Sequence, residues 1–323
     1  MTDTHIKGTT PKNRKDDFPE TVEMKLNEVK QIVSKYNVDY VLHGGDLFDR
    51  PDVSISIVSN FSKILKSFGV PIYIISGNHD VYGHNPDTVN RSILGLLDAL
   101  NVVNLIKEDE VVYLDKDGIK VQLTGQPYVY NIDHEGYRSN YIVNDISKEV
   151  DYSIHMVHGM LLNKPFIEGI PYTLIDHIKG TKADITLCGH YHSGFGVIKI
   201  DNKYFVNPGS LVRITNSLSE INRIPQVAII DLDNSIDIKL VKLETALDGN
   251  EILDRSQMEN HIYKGEMLFD FKQTIDRAIN FEKLDINEIL LEVSSAEGVS
   301  EEVKEEALRR ISNSQMKNLG DEF

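Results

Sequence analysis

The stretch that most constrains this chain is Gly44-Gly45-Asp46-Leu47-Phe48-Asp49, which follows a short apolar run and places a carboxylate where a strand should end. Similar polar groups recur at intervals that suit a strand, a helix and a return strand. Asp3-Thr4-His5 begins 43 residues before Asp46 (46 − 3), and Asn78 of Gly77-Asn78-His79-Asp80 comes 32 residues after it (78 − 46). His158-Gly159 and Gly189-His190-Tyr191-His192 follow later, each behind an apolar run that reads as a buried strand. A fold that returns these strand ends to one edge would gather Asp, Asn and His into one place. Asp46 is then read as a carboxylate between two metal ions, which act together when they lie roughly 3.5–4 Å apart.

A chain of 323 residues can bury a full core, and a large domain over 1–243 with a smaller helical addition over 244–323 is expected. No apolar run reaches the roughly 18 residues of a membrane span, and the start lacks the apolar core of a signal peptide, so a cytoplasmic protein without membrane contact is expected. Cys188 ends Ile185-Thr186-Leu187-Cys188 and reads as core packing. The net charge of −16 excludes a surface that holds nucleic acid everywhere by counterion release, although a local site is compatible with it.

Only Met1 and Thr2 precede Asp3, so the strand that should deliver the first motif reads as truncated. Residues 7–18 read as a loop punctuated by Gly8 and Pro11. Asp17 with Glu20 fits a capping box, ahead of a stripe of Val22, Leu26, Val29, Val33 and Tyr36 at helical spacing. Strands are expected over Val38–Leu42 and Val70–Ile75, with a helix between them marked by Ile57, Phe61, Ile64, Leu65 and Phe68. Beyond residue 102, hairpins are expected at Asp115–Gly118, Asp201–Lys203 and Asp233–Ser235. This pattern predicts an α/β fold of two packed sheets with helices outside, the second sheet mostly antiparallel. In the acidic tail, Asp285 and Glu288 fit a second capping box, and Val303, Ala307, Leu308 and Ile311 mark a last amphipathic helix.

The candidate metal ligands are Asp3, His5, Asp46, Asn78, His158, His190 and His192. Carboxylate, amide and imidazole donors without thiolate favour two divalent ions, Mn²⁺ first, with Fe²⁺, Zn²⁺ or Mg²⁺ as alternatives. The expected chemistry is hydrolysis of a phosphate ester by a water shared between the ions. His79 suits a general acid, Asp80 a group that orients it, and Asp49 a group behind a ligand histidine. Lys12, Arg14 and Lys15 offer positive charge for a substrate backbone. His43, His84, His134, His155, His177 and His261 read as structural or surface residues, with His84 the one nearest to being an exception.

These motifs, in order over residues 3–192, resemble the calcineurin-like metallophosphoesterases. The resemblance implies a four-layer α-β-β-α sandwich, with one ion on Asp3, His5, Asp46 and His192 and the other on Asp46, Asn78, His158 and His190. Within that superfamily the chain is most similar to SbcD-type DNA repair exonucleases. The likeness rests on Arg14 with Asp17-Phe18, on the form Asp46-Leu47-Phe48-Asp49, and on the helical tail. It implies DNA as substrate, an SbcC-type coiled-coil ATPase as partner at the helices after residue 265, and a homodimer as a further expectation. A phosphatase or phosphodiesterase for a small ester is the alternative enzyme, and a non-catalytic scaffold the alternative from another class.

Overall fold

The computed structural model describes residues 1–256 together with Glu306 and Arg309. A compact unit runs from Met1 to Asp254. Its first helix, α1 (Phe18–Lys35), starts where expected: the Asp17 side chain accepts the Glu20 N–H, and Phe18, Val22, Leu26 and Val29 are buried. Strand β1 (Val41–His43), helix α2 (Ile55–Lys66) and strand β2 (Ile72–Ile74) follow. Helix α3 (Ile93–Ala99), capped by Ser92, was not legible in the sequence, and it leads to β3 (Asn104–Leu105). The three strands form one parallel sheet in the order β1-β2-β3.

A second sheet is built from β4 (Val111–Lys116), β5 (Ile119–Gln126) and β6 (Tyr152–Gly159). After the short pair β7 (Leu161–Leu162) and β8 (Thr173–Leu174) and helix α4 (Ile175–Ile178), it continues with β9 (Ile185–His190), β10 (Gly196–Ile200) and β11 (Lys203–Asn207). Asp117 and Gly118 both have positive φ, which suits a tight turn between β4 and β5. The sheet order is β10-β11-β9-β6-β5-β4, and the expectation that it is mostly antiparallel needs correction. Its edge pairs are antiparallel hairpins, but β5, β6, β9 and β11 run parallel. The hairpin turns were visible locally, whereas the crossovers that make the centre parallel were not.

Period-2 alternation sorts the core into layers. Ile72 and Ile74 face a cluster with α1, α2 and α3, while Tyr73 and Ile75 face Leu123, Ile154, Met156, Ile185 and Val206 of the larger sheet. On the far side, Val157, Cys188 and Phe205 pack with Ile175 and Ile178 of α4 and with Tyr141. The order of layers is therefore helix, sheet, sheet, helix. Cys188 is a buried free thiol in that outer cluster.

After α5 (Leu218–Asn222), the hairpin of β12 (Gln226–Leu232) and β13 (Ile236–Lys242) forms its own two-stranded sheet. Between β12 and β1 lies an apolar cavity of about 530 Å³, roofed by Val29, Ile32 and Val33 and floored by Ile154, Met156 and Leu187. The first residues enter this lane from its end. Met1 N donates to Leu42 O, Gly44 N to Met1 O, Asp3 N to Gly45 O and His5 N to Asp46 O. The first motif is thus stitched to the loop after β1 by backbone bonds rather than carried on a full strand.

The main unit also extends past the expected boundary at residue 243. Glu28 accepts the N–H groups of Glu244 and Thr245, α6 (Gly249–Ile252) follows, and Asp254 N donates to Asn13 O. The expected capping box at Asp285, His261 and the amphipathic helix around Val303–Ile311 lie outside the described residues, apart from Glu306 and Arg309, which are helical and form an ion pair at 2.9 Å.

Candidate metal centre

Backbone strain marks the site before any side chain is considered. Asp3, His5, Asp46 and His190 all have positive φ, of 50°, 46°, 55° and 77°. Such a conformation costs a non-glycine residue on the order of 1–3 kcal/mol and persists only where its surroundings fix it. For Asp46 the fixing group is Asp80. Its buried carboxylate accepts N–H bonds from Asp46 (2.8 Å), Leu47 (3.3 Å), Phe48 (3.1 Å) and Gly77 (2.9 Å). Burial and then the neighbouring Asp46 push Asp80 up to about 7, against the pull of those donors. The expected role of orienting His79 is therefore corrected: Asp80 clamps the Asp46 loop, and His79 Nδ1–H donates to the Asp49 carbonyl at 2.9 Å.

Two glycines allow the close approach. A Cβ at Gly77 would lie 2.1 Å from Asp46 Oδ1, and one at Gly45, whose φ is 98°, would lie 2.4 Å from His158 Nδ1. With both absent, the ligand atoms converge. Asp3, His5, Asp46 and His192 form one group, and Asp46, His158 and His190 another, each with its donor atoms within 4.8 Å of one another. Asp46 belongs to both.

The donor atoms are poised for cations. Asp46 Oδ1 accepts the His79 N–H at 2.8 Å, while Oδ2 is buried without a hydrogen-bond partner, 3.3 Å from His158 Nε2 and 3.7 Å from His5 Nε2. His158 donates Nδ1–H to the Gly44 carbonyl at 2.7 Å, which turns Nε2 inward, 3.2 Å from Asn78 Oδ1. His5 Nε2 and His192 Nε2 face each other at 3.2 Å, with Asp3 Oδ1 3.6 Å from the latter. Burial holds His5 well below its ordinary value and lowers His190 to about 3, so both imidazoles are neutral. Burial opposes a charge on His158 too, but the adjacent Asp46 outweighs it and raises His158 to about 9. The Asp46 Oδ2 without a hydrogen-bond partner, the inward-facing imidazole nitrogens and the absence of thiolate from both groups fit two hard or borderline divalent ions.

The model of the calcineurin-like phosphoesterase family matches residues 1–194. The chain belongs to this family. It is a metal-dependent phosphoesterase, and members of the family bind two divalent metals. No curated protein matches the chain. Among solved structures it is similar to a dimetal phosphatase from Danio rerio, at 12% identity and a TM-score of 0.41, covering 65% of this chain and 86% of that one. It is also similar to GAP50, the anchor in the inner membrane complex of Plasmodium, at 12% identity and a TM-score of 0.48, covering 77% and 84%. A third likeness is to an NAD nucleotidase of Haemophilus influenzae, at 13% identity and a TM-score of 0.38, covering 75% and 48%.

In this phosphoesterase Asp3, His5, Asp46 and His192 would hold one ion and Asp46, Asn78, His158 and His190 the other. The ions, when bound, supply charge neutralisation and an activated water for ester hydrolysis. His79, half-buried with its ring 4.8 Å from that of His5, keeps Nε2 for proton transfer because Nδ1 is committed to Asp49. Asp49 lies behind His5, with Oδ1 3.8 Å from its Nδ1, and is braced by Lys7 Nζ at 3.2 Å.

The basic loop is corrected. Arg14 is buried, its guanidinium bonded to both Asp16 oxygens and to the Arg213 carbonyl and stacked 4.9 Å from Phe18, so it holds the fold and does not face a substrate. Lys15 is exposed, with Nζ 3.4 Å from the Asn250 carbonyl, and Lys12 is exposed. His43 and His155 are structural: His43 sits 2.7 Å from Thr4 Oγ1, and His155 donates to Asn140 O. The residue that the sequence did not reveal is Tyr128, whose ring lies 5.8 Å from His190 and 6.3 Å from His158. Its position just after β5 was the available signal.

Two outcomes follow from this geometry. Asp80→Asn places an amide where four N–H donors converge and should destabilise the fold by about 2–4 kcal/mol. Urea unfolding checks this, and a change under about 0.5 kcal/mol contradicts the clamp. The second concerns pH. His158 is raised above its ordinary 6.5, so in the metal-free protein its contribution to stability is full below that value and is lost as pH rises through about 9. Over the same range an ion must displace its proton, so Mn²⁺ affinity should rise by up to about tenfold per pH unit. Calorimetric titrations between about pH 6.5 and 8.5 that give one constant affinity count against this.

Proposed function

We propose that this phosphoesterase is an SbcD-like nuclease that hydrolyses DNA phosphodiester bonds with Mn²⁺, in the cytoplasm and in DNA repair. The observation that carries the diester reading is His79. Its Nδ1 is fixed on the Asp49 carbonyl, its ring abuts His5 of the first ligand group, and its N–H bonds Asp46. A group so placed suits proton delivery to a poor leaving group such as a sugar alkoxide. Support for DNA comes from the Arg14, Asp17 and Phe18 stretch shared in form with SbcD-type proteins. In the fold this stretch is one unit, with Arg14 stacked on Phe18 and Asp17 capping α1. An SbcC-type ATPase would bind the segment after residue 265, beyond the described residues.

A small phosphate ester is the second reading, and the internal commitment of Arg14 together with the net charge of −16 favours it. Mn²⁺-dependent hydrolysis of linear duplex DNA, single-stranded DNA and bis-p-nitrophenyl phosphate separates the two. For the nuclease, His79→Ala should lower kcat on DNA by about 10²–10⁴-fold. It should matter less for bis-p-nitrophenyl phosphate, whose leaving group needs no proton. Turnover of small esters with no DNA cleavage overturns the nuclease reading.

A further inference from the structure

Part of the positive charge that could hold a duplex by its backbone is committed elsewhere in this unit, although Lys12 and Lys15 are exposed. Arg14 is bonded inside the fold, Lys7 is paired with Asp49, and the chain is strongly acidic. The mouth of the centre has a different resource. Tyr128 is half-buried, and its backbone N–H bonds the Ser76 carbonyl at 3.0 Å, which ties the segment after β5 to the segment after β2. One side of that ring lies against His190 and His158, tilted by 41° to the first and nearly edge-on to the second. The exposed His84, held at a φ of 58° in the turn that follows Asp80, meets Tyr128 edge-on with ring centroids 5.8 Å apart. Tyr82 and Tyr130, neighbours of these two in sequence, are exposed.

His79 flanks the first ligand group, beside His5, whereas Tyr128 flanks the second. A phosphodiester bound at Asp46 has two ester arms, so one can lie by His79 while the other lies by Tyr128 and His84. Stacking on aromatic side chains contributes about 1–3 kcal/mol per base and needs no basic surface. A paired base inside a duplex has no free face to offer.

We infer that Tyr128 and His84 form a stacking seat for an unpaired nucleobase next to the scissile phosphate. The substrate is then a single-stranded or frayed nucleic-acid end. This rests on the phosphodiesterase reading above. It assigns to the site a preference that the metal ligands do not supply.

The test is the affinity of the Ca²⁺-loaded protein for a thymidine hexanucleotide and for an abasic hexanucleotide with the same backbone, together with the quenching of 2-aminopurine placed within the strand. The wild type should favour the base-bearing strand by about 5- to 150-fold, the equivalent of one stacked base. It should also quench 2-aminopurine. Tyr128→Leu should lose both effects, Tyr128→Phe should retain them, and His84→Ala should weaken them. Equal affinity of the wild type for the two strands overturns the seat without recourse to any variant, and so does an undiminished preference in Tyr128→Leu. Failure of the underlying reading looks different: the Mn²⁺-loaded wild type would then cleave no DNA, whether or not it turned over bis-p-nitrophenyl phosphate.

Discussion

The centre depends on one carboxylate that touches no candidate ligand side chain. Asp80 gathers the N–H groups of Asp46, Leu47, Phe48 and Gly77, and so holds two loops that the parallel strands β1 and β2 bring side by side. Asp46 is thereby kept at positive φ with Oδ1 on the His79 N–H and Oδ2 free. Asp3 and His5 are held in turn by the carbonyls of Gly45 and Asp46, and Asp3 accepts the His190 N–H. The clamp therefore passes from one strand end to the next. The cost of four strained ligand residues is spread over this bonded set, which is why polar groups that would repel one another can stay buried together.

That arrangement divides the site into a side for protons and a side for binding. His79 and Asp49 stand by the first ligand group, and Tyr128 stands by the second. The sandwich produces the division because His79 lies in the loop after β2 and Tyr128 just after β5, on different sheets whose carboxyl ends meet at the centre. The family's chemistry resides in the shared ligand atoms, and specificity is left to what the other strand ends carry.

Much of this was legible in the sequence because Asp46, Asn78, His158, His190 and His192 stand at or just beyond the ends of apolar runs, a contrast that survives without any alignment. The layers were legible as well, since Tyr73 and Ile74 sit next to each other and still face different clusters, as alternation requires. What escaped depends on distant partners. Arg14 looked like a surface cation because the contacts that bury it, the Arg213 carbonyl and the bridge to Leu253, lie some 200 residues away, beyond the local Asp16 and Phe18. Asp80 looked like a partner for its neighbour His79, but three of the four N–H groups it accepts come from a loop 32 to 34 residues earlier. Tyr128 belongs to no motif, and only the meeting of the two sheets places it beside His158 and His190. The parallel centre of the larger sheet was hidden in the same way, behind hairpins that are local.

The central claim is that Asp46 joins two metal ions in one centre. Electron paramagnetic resonance of the protein with two equivalents of Mn²⁺ tests it directly, beside Asp46→Asn. The account predicts an exchange-coupled dimanganese signal in the wild type that gives way to isolated Mn²⁺ in the variant. A wild type that binds a single Mn²⁺, or two that show no coupling, would contradict it.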